Sequence, residues 1–140
     1  MDINQIKHIL QRYDTVENAL LFGSYATNTQ HNMSDIDIAV QTSRELNLFE
    51  MGDIIASLET ELNHKIDFVI FNELYKTSPL LAYNIYKNHT ILILNNKKKY
   101  DLFKENALHY YLDFKHILDE QNLAFSKRIS NGNIAKTQTA

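Results

Sequence analysis

Residues 34–40 read Ser-Asp-Ile-Asp-Ile-Ala-Val, an alternation that fits an extended strand. In a strand the side chains at i and i+2 share a face, with Cα atoms about 7 Å apart. Asp35 and Asp37 therefore point one way, and Ile36, Ile38 and Val40 point the other way, towards a core. The chain must fold around a sheet with an apolar face and an acidic patch opposite. Two carboxylates side by side repel unless a cation lies between them, and hard oxygen ligands with open positions suit Mg2+.

The remaining segments supply that sheet and its cover. Asp2 can cap a helix whose apolar face is Ile3, Ile6, Leu10 and Tyr13. Residues 16–22 form a buried strand that runs into a tight turn at Gly23-Ser24. Leu48, Met51, Ile55, Leu58 and Leu62 step by three and four, a second amphipathic helix. Residues 65–71 are a strand, Pro79 opens a helix to about Lys87, and residues 90–94 are a short apolar strand. From Lys97 to about Ile129 there is neither Gly nor Pro, so one long C-terminal helix is expected.

The order α-β-β-α-β-α-β-α makes an α+β fold: a small mixed β-sheet with flanking helices. Only three Gly and one Pro occur in 140 residues, so loops are short, and residues 1–130 read as one domain. Gly52 lies in a helical pattern. Gly132 lies in a polar segment, 131–140, expected to be a disordered tail.

Composition removes several function classes. Without Cys there is no disulfide scaffold, Cys-ligated zinc, Fe–S cluster or thiol nucleophile. A net charge of -3 argues against a DNA-coating protein, and no direct nucleic-acid binding is expected. The N-terminus lacks signal-peptide features, and no apolar run approaches the ~20 residues that span a bilayer. A cytoplasmic location follows, with no membrane partner.

A third carboxylate joins the first two. In residues 65–71 one face carries Ile66, Phe68 and Ile70, and Asp67 is on the other. Read as a central strand, this segment would bury the Asp67 charge at high cost unless it lines a cleft. If the two acidic strands are neighbours, three carboxylates converge, the ligand set of a two-metal phosphoryl or nucleotidyl transfer centre. At Gly23-Ser24 the glycine lets backbone approach a polyphosphate. The Ser24 hydroxyl and the N–H groups of the following turn can hold phosphate oxygens.

Gly23-Ser24, ten intervening residues and Asp35-x-Asp37 resemble the GS-x10-DxD signature of the polymerase-β-like nucleotidyltransferases. The length, the placement of Asp67 and the terminal helix resemble the minimal nucleotidyltransferase (MNT) branch, over about residues 18–118. The resemblance implies that Asp35 and Asp37 bind two Mg2+ ions and that Asp67 completes the catalytic metal site and helps deprotonate the attacking hydroxyl. Gly23 and Ser24 would grip the β- and γ-phosphates of ATP.

One departure is visible. Family members commonly carry a basic residue and then Gly shortly after the GS pair, where this chain has Thr27 and Asn28. Arg44 and the Lys97-Lys98-Lys99 run are the cations available to take over, and Tyr25 is placed to contact nucleotide.

MNT proteins resemble the antitoxins of HEPN/MNT toxin–antitoxin modules. By that resemblance the chain transfers AMP from ATP to a tyrosine of a HEPN-domain ribonuclease toxin, with which it forms a hetero-oligomer. Two alternatives stand beside it: nucleotidyl transfer to a small molecule such as an aminoglycoside, and a non-catalytic antitoxin acting by binding alone.

The long helix bears on the partner. Phe103, Ala107, Tyr110, Phe114 and Ile117 form one stripe, and Leu108, Tyr111 and Leu118 an adjoining one. The second stripe suggests a partner surface beside the plain reading of a wide core face. His109, Asp113 and His116 share a helix face read as solvated rather than metal-binding, and the other histidines are scattered.

Overall fold

The structure, a computed structural model, describes residues 2–25 and 34–130. The expected tail at 131–140 and the Thr27-Asn28 departure lie outside the described residues. The elements are α1 (Ile3–Leu10), β1 (Val16–Phe22), a 3-10 turn (Gly23–Tyr25), β2 (Ile36–Thr42) and α2 (Leu48–Leu62). There follow β3 (Ile66–Ile70), α3 (Leu74–Thr77), α4 (Pro79–Lys87), β4 (His89–Leu94) and α5 (Lys97–Ser130). The α+β order read from the sequence holds, with the four-residue α3 added.

Local chemistry explains the boundaries. The Asp2 carboxylate accepts from Asn4 N at 2.9 Å and caps α1. At α2, Asn47 Oδ1 accepts from Glu50 N while Glu50 Oε1 accepts from Asn47 N, a capping box. Asn63 ends α2 in the left-handed conformation, with φ of 49°. Pro79 occupies the first turn of α4, where its missing N–H costs nothing.

The four strands lie in the order β3-β2-β1-β4. β1 pairs antiparallel with β2 and with β4, and β2 pairs parallel with β3. Both sheet faces are covered. On one side Ile36, Ile38 and Val40 join Ala19, Leu21 and Ile66 against Ile6 and Ile9 of α1 and Ile54 and Leu58 of α2. On the other, Leu20, Phe22 and Ala39 pack against Phe71, Tyr75, Ala82, Ile85 and Phe103. This double burial is why β1 reads as continuously apolar from Ala19 to Phe22 instead of alternating.

Three expectations are revised. The strand expected at 34–40 begins at Ile36 and continues to Thr42, so Asp35 immediately precedes β2. β3 is an edge strand, not a central one, and Asp67 stands exposed on it. Tyr13 lies beyond α1, where its hydroxyl meets Ser57 Oγ at 2.9 Å.

Candidate functional site

Register brings the acidic residues together. Asp37 pairs with Phe22, the last residue of β1, and on its other side with Asp67 of β3. By alternation with Ala39, Asp37 faces the side of the sheet covered by α3, α4 and α5. It lies near the start of β2, opposite the end of β1 where Phe22 gives way to the Gly23–Tyr25 turn.

That turn is shaped around the carboxylate. Gly23 has φ of +72°, the left-handed region that glycine enters without a Cβ penalty. A Cβ built on Gly23 would lie 1.9 Å from Asp37 Oδ2 and 2.9 Å from its Cγ. Glycine is thus required twice, by its dihedral and by the oxygen resting on its Cα. Ser24 follows in the same turn.

The electrostatics record the crowding. Partial burial first, then the neighbouring Asp67 charge and a hydrogen bond with it, then Asp35, push the Asp37 carboxyl up from 3.8 to about 6. The register of β2 with β3 is what sets Asp67 beside Asp37. Asp35, half-buried just before β2, adds repulsion.

Among the described residues no three His, Cys, Asp or Glu side chains form a ready metal cluster. The donor set is Asp37 in register with Asp67, with Asp35 two residues before Asp37. It fits Mg2+, which is typically held by one or two carboxylates, with water and substrate phosphates filling the remaining positions.

Three of the four expected substitute cations, Arg44, Lys97 and Lys99, are committed elsewhere. Lys99 Nζ donates to Glu17 Oε1 at 2.9 Å and to the Thr42 carbonyl. Thr42 is five residues beyond Asp37 along β2, about 17 Å away. Arg44, further on, forks onto Glu50. Lys97 pairs with Asp101 at 2.7 Å. Tyr25 turns its ring towards the α1–α2 side of the sheet, and its hydroxyl meets His64 Nε2 at 3.0 Å. His64 went unread in the sequence, because it lies 39 residues from Tyr25 with no motif linking them.

Comparison with known proteins gives this arrangement a family. The model of the family described as Polymerase beta, Nucleotidyltransferase matches residues 4–98. The Methanocaldococcus jannaschii protein named "Putative protein adenylyltransferase MJ0435" is 36% identical over 85 residues, covering 58% of this chain and 87% of that protein. A second of that description from the same organism is 38% identical over 78 residues, covering 49% of this chain and 76% of the other.

Among solved structures, a toxin-antitoxin with AMP-PNP superposes with a TM-score of 0.71 at 23% identity, covering 92% of this chain and 99% of the other. A chain from the tri-AMPylated Shewanella oneidensis HEPN toxin in complex with MNT antitoxin gives a TM-score of 0.63 at 21% identity, covering 91% and 95%. At these identities the likeness is one of fold, and that fold is the mixed sheet with flanking helices and long terminal helix described above. With more than half its length matched by the family model, the chain belongs to the polymerase beta nucleotidyltransferase family, and its enzymatic class is that of a nucleotidyltransferase.

Proposed function

We propose that this nucleotidyltransferase moves AMP from ATP to a tyrosine hydroxyl of a HEPN-domain ribonuclease toxin and so acts as its antitoxin. The observation that carries the reading is the register that sets Asp37 beside Asp67, with the Gly23 turn shaped against the Asp37 carboxylate. Relatives named as protein adenylyltransferases support a protein acceptor. So does the outer half of α5, which leaves Ile117, Leu118, Leu123, Phe125 and Ile129 exposed.

Asp35, Asp37 and Asp67 would hold Mg2+, which supplies charge neutralisation at the phosphates and lowers the barrier to attack. Gly23 and Ser24 present the turn to the β- and γ-phosphates. The acceptor phenol oxygen bonds to the α-phosphorus as the bond to the β-phosphate oxygen breaks. Pyrophosphate leaves with the electron pair, and Asp67 receives the phenolic proton.

The test is intact-mass analysis of the HEPN partner after incubation with ATP and Mg2+. The wild-type chain is expected to add AMP to the partner. Asp37→Asn, which keeps shape and removes charge, is expected to slow transfer by about a hundredfold or more. Transfer by Asp37→Asn at the wild-type rate would overturn the assignment of the carboxylates. Turnover with an aminoglycoside and none with the protein partner would move the acceptor to the small molecule.

A further inference from the structure

We propose that His64 is a positioning residue: it ties Tyr25 to Ser34 through one ring nitrogen and thereby sets the Gly23-Ser24 turn and the Asp35 and Asp37 carboxylates against Asp67. The inference rests on the nucleotidyl-transfer reading above.

His64 Nε2 lies 2.8 Å from the Ser34 carbonyl oxygen and 3.0 Å from the Tyr25 hydroxyl. The two rings meet edge-on, with centroids 5.9 Å apart and planes at 83°. Tyr25 directly follows Ser24, Ser34 directly precedes Asp35, and His64 stands three residues before Asp67. One imidazole thus touches all three segments that bear the candidate site residues. The backbone supports the junction, with Ile36 N donating to the Lys65 carbonyl at 3.0 Å where β2 and β3 begin to pair.

His64 acts from behind the sheet. Tyr25 packs with the α1–α2 core, whereas Asp37 faces the α3–α5 side. His64 therefore has its effect through the backbone of the two neighbouring segments rather than by touching substrate.

The hydrogen-bond chemistry fixes the tautomer. A carbonyl oxygen only accepts, so at 2.8 Å Nε2 must carry a proton. The Tyr25 oxygen then accepts a share of the same N–H. With the proton on Nδ1 alone, Nε2 would turn a lone pair towards the Ser34 carbonyl, and only the Tyr25 contact would survive.

Three variants test this: His64→Ala, His64→Gln and Tyr25→Phe. Glutamine can place an N–H near the position of Nε2 and so restore the bond to Ser34. Binding of AMP-PNP with Mg2+ is measured by calorimetry, kcat and KM by AMP transfer, and the His64 tautomer by 15N NMR.

His64→Ala is expected to weaken AMP-PNP binding and raise KM for ATP about tenfold, as misplaced reacting groups do. His64→Gln should recover most of that loss, Tyr25→Phe should cost less, and the wild-type spectrum should show Nε2–H. Wild-type affinity and rate in His64→Ala, no recovery in His64→Gln, or an Nδ1–H ring would overturn the inference while leaving the carboxylate reading intact. A wild-type chain that binds no AMP-PNP would overturn the nucleotidyl-transfer reading, and this inference with it.

Discussion

At the scale of residues, the site is built at a cost to the fold. Asp37 holds its proton up to about pH 6 in the folded chain, against an ordinary value of 3.8. The folded state thus binds this proton more tightly than the unfolded one, and stability is lost as pH rises from about 4 through 6. At neutral pH the full penalty of a partly buried carboxylate set beside the Asp67 charge is present. Asp37→Asn should therefore stabilise the metal-free protein at pH 8, by about 1–2 kcal/mol after allowing for solvent screening of a half-exposed group. That is a rise in Tm of roughly 2–8 °C, to be measured by thermal denaturation in chelator. The gain should shrink towards zero as pH falls to 4. A variant expected to slow transfer would then be the more stable protein, as happens where a site is assembled against the stability of the fold.

At the scale of elements, a buried polar cluster sets the far end of the sheet. Asn18, fully buried, donates to Gln41 Oε1 and to the Asn96 carbonyl, each at 2.8 Å, and accepts from Asn95 N and Asn96 N at 3.0 Å. Gln41 in turn reaches the Lys99 carbonyl, so β1, β2 and the start of α5 share one network. Asn18→Leu should cost about 3–4 kcal/mol, read as a lower urea midpoint, because buried partners lose their bonds together. Periodicity from Leu48 made α2 legible, Pro79 marked the start of α4, and the apolar run from Ala19 to Phe22 ahead of Gly23 marked β1. The Gly23-Ser24 and Asp35-x-Asp37 spacing likewise pointed to where the carboxylates meet. Asn18 and His64 were not legible, since their partners are 23 to 78 residues away and follow from topology alone. The edge position of β3 was hidden for the same reason: Phe68 and Val69 look like core, and strand order is not written in a strand's own pattern.

At the scale of the whole molecule, α5 does two jobs along its 34 residues. Tyr100, Phe103 and Ala107 are buried against the sheet and its helices, and Tyr111 stacks on Tyr83 with planes at 9°. From residue 115 onwards every residue of α5 is exposed, a projection of about 24 Å. Truncation after residue 115 should therefore leave cooperative unfolding intact, with Tm within about 4 °C of the full chain. If the outer half serves the toxin, the shortened chain should fail to co-elute with it in gel filtration. The strand order β3-β2-β1-β4 also has a consequence in time. Every strand that carries a candidate site residue has been synthesised by Ile70, whereas β1 meets β4 through pairs such as Asn18 with Leu94. Until that late closure one flank of β1 is an open hydrogen-bonding edge, and the buried amide of Asn18 lacks its bonds to Asn95 and Asn96. The part of the chain that bears the chemistry precedes the strand that covers the β1 edge, and an open edge of that kind is a template for unwanted pairing.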